Sequence, residues 1–225
     1  MLSLFLKTYL IVAATLAAEK TVQLYKGYKK NKERNPFILR CGDVTFNFKM
    51  AAHLLVCGLS GQGKTYFTET LLKGREDISV ILLNAFREDF KSLKCKRYNN
   101  TTDIVTLLSE VSEGKLRGTE DKPLYIVIDE LLELTLREKT IGKLLQRAIT
   151  TARHYYVYFI VIVQEALKEV LTCKSLFNQR VCFKMLEQSS YNVALGFYPE
   201  ETLTRIGDYF HRTHDKIGVA HCPKV

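Results

Sequence analysis

Residues His53 to Lys73 read HLLVCGLSGQGKTYFTETLLK: a short apolar run, a turn rich in glycine, and then an amphipathic stretch. Gly58, Gly63, Lys64 and Thr65 fit G-x-x-x-x-G-K-[ST], with a strand expected before the turn and a helix after it. Glycines at 58, 61 and 63 let the backbone curl until its N–H groups converge on a phosphate, and the helix that follows adds its positive dipole end. Lys64 is placed to reach the terminal phosphates, and the Thr65 hydroxyl to ligate Mg²⁺. The expected nucleotide-contact stretch is therefore Gly58, Leu59, Ser60, Gly61, Gln62, Gly63, Lys64, Thr65 and Tyr66, with ATP and Mg²⁺ as the bound species.

Working outward, LYIVIDE at 124–130 supplies the second half of such a site. It is a buried apolar strand that ends in two carboxylates where the chain leaves the sheet. Asp129 is expected to hold Mg²⁺ through water, and Glu130 to orient or deprotonate an attacking water. That pair points to hydrolysis rather than nucleotide storage. A further strand, YYVYFIVIV at 155–163, ends in Gln164, an amide able to sense the terminal phosphate. Arg153 precedes the same strand and reads by default as a helix-end cation.

Strands are expected near 37–48 (a hairpin across Cys41-Gly42-Asp43), 53–58, 78–83, 124–128, 156–163, 180–185 and 217–222. Helices are expected near 64–73, 102–113, 138–153, 165–172, 188–195 and 200–206. Strand and helix in turn imply an α/β fold, a mostly parallel sheet with helices on both faces. The 225 residues suffice for one such domain, and 47% hydrophobic against 25% charged residues excludes a disordered or polytopic membrane chain.

The order of these signals resembles the motor core of the FtsK/SpoIIIE and HerA family of DNA-pumping ATPases. AAHLLVCG before the loop, IVIDELLEL, the helix KLLQRAITTARH and the strand ending in Gln164 stand as the family's corresponding stretches do. NQRVCFKMLEQSSYNVALG resembles its next strand and helix, and Arg205-Ile206-Gly207-Asp208 its terminal glycine turn. The likeness runs from about residue 36 to the end and implies a RecA-like P-loop NTPase domain. It also implies Gln164 as polar sensor, Arg153 as an arginine acting on a neighbouring subunit's nucleotide (Arg147 and Arg180 are alternatives), a ring, usually hexameric, and double-stranded DNA passing through its centre.

The departures narrow the reading. Asn84-Ala85-Phe86 stands where many members have an Asp-Pro-Lys-like stretch, and Glu165 replaces a common arginine. No DNA-reading winged helix is recognisable after the motor, so the expectation is a minimal motor of the kind found in mobile elements and viruses. An Asn-Lys-x-Asp base reader is absent after the loop, which argues against GTPases, and LSGQ lies inside the loop itself, which argues against transporter-type ATPases; an AAA+ ring ATPase stays open. A basic cluster of Arg87, Lys91, Lys94, Lys96 and Arg97 is either a DNA-facing loop or a solvated face. Two functions remain: a motor that moves duplex DNA, and an ATP-switched scaffold of a membrane assembly that moves none.

The formal charge is +9, of which residues 1–40 contribute a net +6, so the excess belongs to the N-terminus rather than the body. Residues 2–18, LSLFLKTYLIVAATLAA, read as a membrane anchor (1–19) followed by a basic linker (20–35) that keeps the body, 36–225, on the cytoplasmic face. An interfacial or partner-docking helix and a cleaved export signal are the alternatives. Six scattered cysteines without a CxxC pair read as reduced thiols. His211, His214, His221 and Cys222 cluster in sequence but lack zinc-site spacing, and read as surface or turn residues.

Overall fold

A computed structural model describes residues 16, 18–21, 34–86, 88–164 and 174–223. The chain divides into two compact units, Met1–Asn35 and Pro36–Val225, and the architecture below is that of the second. Most of the expected anchor and of the basic linker, the helix near 165–172 and Arg87 lie outside the described residues. Among the described residues no helix is long and apolar enough to cross a membrane.

Among the described residues ten strands form: β1 (Ile38–Cys41), β2 (Val44–Asn47), β3 (Leu54–Cys57), β4 (Ser79–Leu83), β5 (Lys96–Tyr98), β6 (Leu124–Ile128), β7 (Val157–Val163), β8 (Gln179–Phe183), β9 (Asp208–Arg212) and β10 (Ile217–His221). The helices are α1 (Lys64–Leu72), α2 (Thr101–Ser112), α3 (Leu131–Arg137), α4 (Thr140–Ala152) and α5 (Gln188–Leu195). β1 and β2 pair as an antiparallel hairpin, and the other eight make one sheet in the order β10-β9-β8-β3-β7-β6-β4-β5. β5, β4, β6, β7, β3 and β8 run parallel, whereas β9 and β10 join antiparallel at one end.

The central strands are apolar on both sides because both faces are covered: all five residues of β6 and all seven of β7 are buried. One face packs against α2, α3, α4 and α5. α4 docks through Ile141, Leu145, Ala148, Ile149 and Ala152, a stripe at helical spacing. The opposite face is covered by α1 and the β1–β2 hairpin, so a hairpin does part of the work expected of helices there. Phe67 of α1 is the centre of that layer, its ring 5.7 Å from Phe46, 5.8 Å from Phe183 and 5.1 Å from Tyr209.

One expectation needs correction, and two elements were not expected. Residues 200–206 are not helical: the chain turns there because the Asp208 carboxylate accepts from the Arg205 N–H at 3.0 Å and Gly207 takes φ +95°. Asp208–Arg212 is a strand, which the interruption of its apolar residues by His211 and Asp208 had hidden. Leu131–Arg137, where neither strand nor helix was expected, is a short helix.

Candidate functional site

The carboxyl ends of β3, β7 and β6 lie side by side on one edge of the sheet. Cys57 pairs with Val163 and Ile128 with Val161, so the parallel register brings Gly58, Gln164, Asp129 and Glu130 to the same rim. In an open parallel sheet that rim is where ligands bind.

The loop from Gly58 to Gly63 is held from outside itself. The Leu59 N–H donates to Lys184 O at 3.0 Å, just beyond β8, and the Gly207 N–H donates to Gln62 O at 3.2 Å. Gly58 has φ +144°, and a Cβ there would lie 2.6 Å from Phe183 Cβ, so glycine is required by backbone and by packing. Gly61, at φ +75°, has nothing within 4 Å of the same position: the loop is open on that side. α1 begins at Gly63 (φ +103°) with no side-chain cap and no acidic residue in its first turn. Its N–H groups and positive dipole end are left for an anion, which is the fit a triphosphate needs.

Lys64 is buried, and its ammonium donates to Gly58 O at 2.7 Å and Leu59 O at 2.9 Å, folded back onto the loop. Burial lowers its pKa, while Glu130 and then Asp129 oppose that shift. Asp129 is only 7% exposed. Burial, then Asp89 and Glu130, push its carboxyl up to about 7, against the attraction of Lys64. A carboxylate that costs this much to ionise is a fit for a cation. With Thr65 at the start of α1, Asp129 is the group able to hold Mg²⁺; among the described residues no cluster of three or more His, Cys, Asp or Glu forms a separate metal site. Asp89, in the loop after β4, is a neighbour that sequence reasoning passed over.

Glu130 sits in the left-handed region at φ +52°, the residue before α3, a conformation that a non-glycine residue keeps only when its surroundings enforce it. Asn84, at the end of β4, enforces it. Its Nδ2 donates to Asp129 O at 3.0 Å, Glu130 O at 3.4 Å and Glu133 Oε2 at 2.8 Å. Its Oδ1 accepts from Arg137 Nη2, which also pairs with Glu133 Oε2 at 2.7 Å. Asn84 itself has φ +60°. The residue noted in the sequence only as a departure is thus the brace of the acidic turn; an Asn at the end of the strand beside LYIVIDE was the available signal.

Gln164 is exposed at the end of β7, on the same rim as the loop. Arg153 is not brought to it. It closes α4 ahead of β7, at the amino edge, about 20 Å from the loop along a seven-residue strand. There it acts on His53, whose Nδ1 accepts from the Phe159 N–H at 3.0 Å and whose Nε2 contacts Ile149 O at 3.0 Å. Arg153 therefore lies away from its own chain's loop, at the end of α4. Of the alternatives, Arg147 is exposed on α4. Arg180 is committed to Phe177 O, Ala194 O and Lys174 O, a brace for the end of α5.

A parallel sheet with a glycine loop after one strand, an acidic turn two strands away and a polar strand end between them defines the P-loop ATPase fold. Solved structures carry the same architecture. The pCW3 conjugation coupling protein TcpA, in a monomer form with ATPγS, superposes with a TM-score of 0.65 at 15% identity, over 84% of this chain and 66% of that one. The cytoplasmic domain of the Thermomonospora curvata type VII secretion ATPase EccC gives 0.66 at 15% identity, over 84% and 29%. The genome packaging NTPase B204 of Sulfolobus turreted icosahedral virus 2, in complex with AMP, gives 0.55 at 15% identity, over 78% and 99%. These are P-loop ATPases of the FtsK/HerA type, and the likeness is one of fold. This chain spans about two thirds of the TcpA chain and under a third of the EccC chain. No protein-family model and no curated protein matches the sequence.

Proposed function

We propose that this chain is an ATP-hydrolysing motor of the FtsK/HerA type that translocates double-stranded DNA, working as a ring and tethered to the cytoplasmic face of a membrane through residues 2–18. The observation that carries the reading is the shared rim: phosphate loop, Gln164 and the Asp129–Glu130 turn on three adjacent parallel strands. Lys64 exchanges its two loop carbonyls for phosphate oxygens, and Glu130, braced by Asn84, takes the proton of the attacking water. Thr65, and Asp129 through water, would hold Mg²⁺, which would offset the charge of the phosphates. Gln164 reports the state of the terminal phosphate, and Arg153 acts on the nucleotide of the next subunit.

The test is hydrolysis of Mg·ATP by the purified chain with and without duplex DNA, over a salt series. A motor hydrolyses ATP faster when duplex is added, and the stimulation falls steeply with salt as phosphate contacts are screened. Slow hydrolysis indifferent to duplex favours the alternative, an ATP-switched scaffold of a membrane complex. The described residues bear on the tether only through their own composition, so the tether is tested apart, by partition of the full chain and of a chain lacking residues 1–19 between vesicles and buffer.

A further inference from the structure

Cys41 closes β1 near the start of the ATPase unit, and Cys222 follows β10 near its end. Both are buried, at 1% and 2% exposure, and their sulfurs are 3.3 Å apart across 181 positions of sequence. The segment that carries Cys222 touches the phosphate loop through one intermediary. The Cys222 N–H donates to Gly207 O at 2.8 Å, the Gly207 N–H donates to Gln62 O, and the Tyr66 hydroxyl donates to Pro223 O at 3.2 Å. On the other side, the Tyr209 hydroxyl donates to Cys41 O at 3.4 Å. Residues 221–223 are thus a strap between the first hairpin, the glycine turn and the start of α1.

We propose that Cys41 and Cys222 are an oxidisable pair that forms an intramolecular disulfide, stapling the first hairpin to the strap that supports the phosphate loop. The oxidant is a low-molecular-weight disulfide such as glutathione disulfide. Cys222 thiolate attacks one of its sulfurs, forming a mixed disulfide and releasing one glutathione thiolate. Cys41, giving its proton to solvent, then attacks the Cys222 sulfur and releases the second. Two protein thiols are oxidised by two electrons, and one glutathione disulfide is reduced to two glutathiones.

Cys222 is suited to the first attack. The Cys41 S–H donates to it, which against the effect of burial holds its pKa below the ordinary thiol value, whereas Cys41 is raised. It also follows an edge strand whose residues alternate between exposed and half-buried, so fraying of β10 uncovers it without opening the core. Cys57 and Cys182 are the contrasting pair: they face each other in register on β3 and β8, but burial raises both thiols, Cys57 to about 12.

The experiment uses the wild-type chain, reduced and then equilibrated with glutathione disulfide. Thiols are counted in denaturant, the linkage is mapped by mass spectrometry, and thermal unfolding is compared for the two forms. The expected count falls from six to four, with Cys41 joined to Cys222, and Tm rises by about 5–10 °C because a very long loop is closed. The Cys41→Ser variant retains five thiols and shows no rise. Six thiols after prolonged oxidation, or a bond between Cys57 and Cys182 in place of the stated pair, overturns the proposal. Because the wild-type protein supplies the readout, a variant that fails to fold does not obscure the answer.

Discussion

The amide of Asn84 donates to the carbonyl of Asp129 at 3.0 Å, tying the end of β4 to the turn that carries both acidic residues of the site. The same amide reaches Glu130 O and Glu133, and Arg137 closes the network from α3. Asn84→Ala leaves two carbonyls without that partner at a buried position, and the more exposed Glu133–Arg137 pair without its bridge. The expected loss is about 1–3 kcal/mol of stability. Turnover falls about 10–100-fold with little change in KM for ATP, since Glu130 loses its enforced conformation while the phosphate loop is untouched. Steady-state ATPase kinetics and denaturant unfolding check both; an unchanged kcat removes Asn84 from the positioning role.

Lys64 donates only to loop carbonyls, so its removal costs the fold little and the ligand a great deal. Lys64→Ala is expected to weaken binding of ATPγS at least about 100-fold while circular dichroism and Tm remain close to wild type. Equilibrium binding of a fluorescent analogue measures it. Retained affinity would mean that the phosphates sit elsewhere.

The glycines of the loop differ in what a methyl group would meet. Gly58→Ala forces a Cβ to 2.6 Å from that of Phe183 at a φ of +144°, and is expected to cost several kcal/mol or prevent folding. Gly61→Ala meets open space and bears only the left-handed strain, about 1 kcal/mol, equivalent to a Tm fall of about 2–4 °C. The two variants measured side by side by thermal unfolding give the ranking; equal losses would contradict the packing of the loop on β8.

Asp129 makes the apo protein's stability depend on pH with a definite sign. Its folded pKa, about 7, lies above the unfolded value near 3.8, so between those values the folded state binds the extra proton. Its contribution is neutral at low pH and becomes progressively destabilising as pH rises from about 4 to 7, reaching about 2–4 kcal/mol. Buried His53, lowered to about 4, acts oppositely and loses stability as pH falls from 6.5. The stability difference between wild type and Asp129→Asn therefore isolates the carboxylate: it should move against wild type as pH rises from 4 to 7. Binding of Mg·ATP should release about half a proton at pH 7 and close to one near pH 6, seen by calorimetry in buffers of different ionisation enthalpy.

What could be read from residues alone was the part encoded locally. The glycine loop and LYIVIDE declare themselves because each is a strand ending in a short stretch of required chemistry, and β6 and α5 fall at the ranges expected. Asn84 did not declare itself, because its meaning lies in a strand 45 residues away that pairs beside it. Residues 200–206 were expected as a helix because the groups that shape the turn after them, Asp208 and the distant His221, bond to each other at 2.8 Å only once β9 and β10 have paired. Arg153 entered through the resemblance alone; a seven-residue strand puts it at the edge of the sheet away from its own chain's loop.

Glu130 is the residue on which the hydrolytic reading turns, and Glu130→Gln keeps its size and its backbone bond from Asn84 while removing the base. Release of inorganic phosphate from Mg·ATP, measured beside equilibrium binding of ATPγS, is the direct test. The variant should bind the analogue with wild-type affinity and release phosphate at about 1% of the wild-type rate or less. Phosphate release by the variant at the wild-type rate, or none from wild type with or without duplex, would contradict the account.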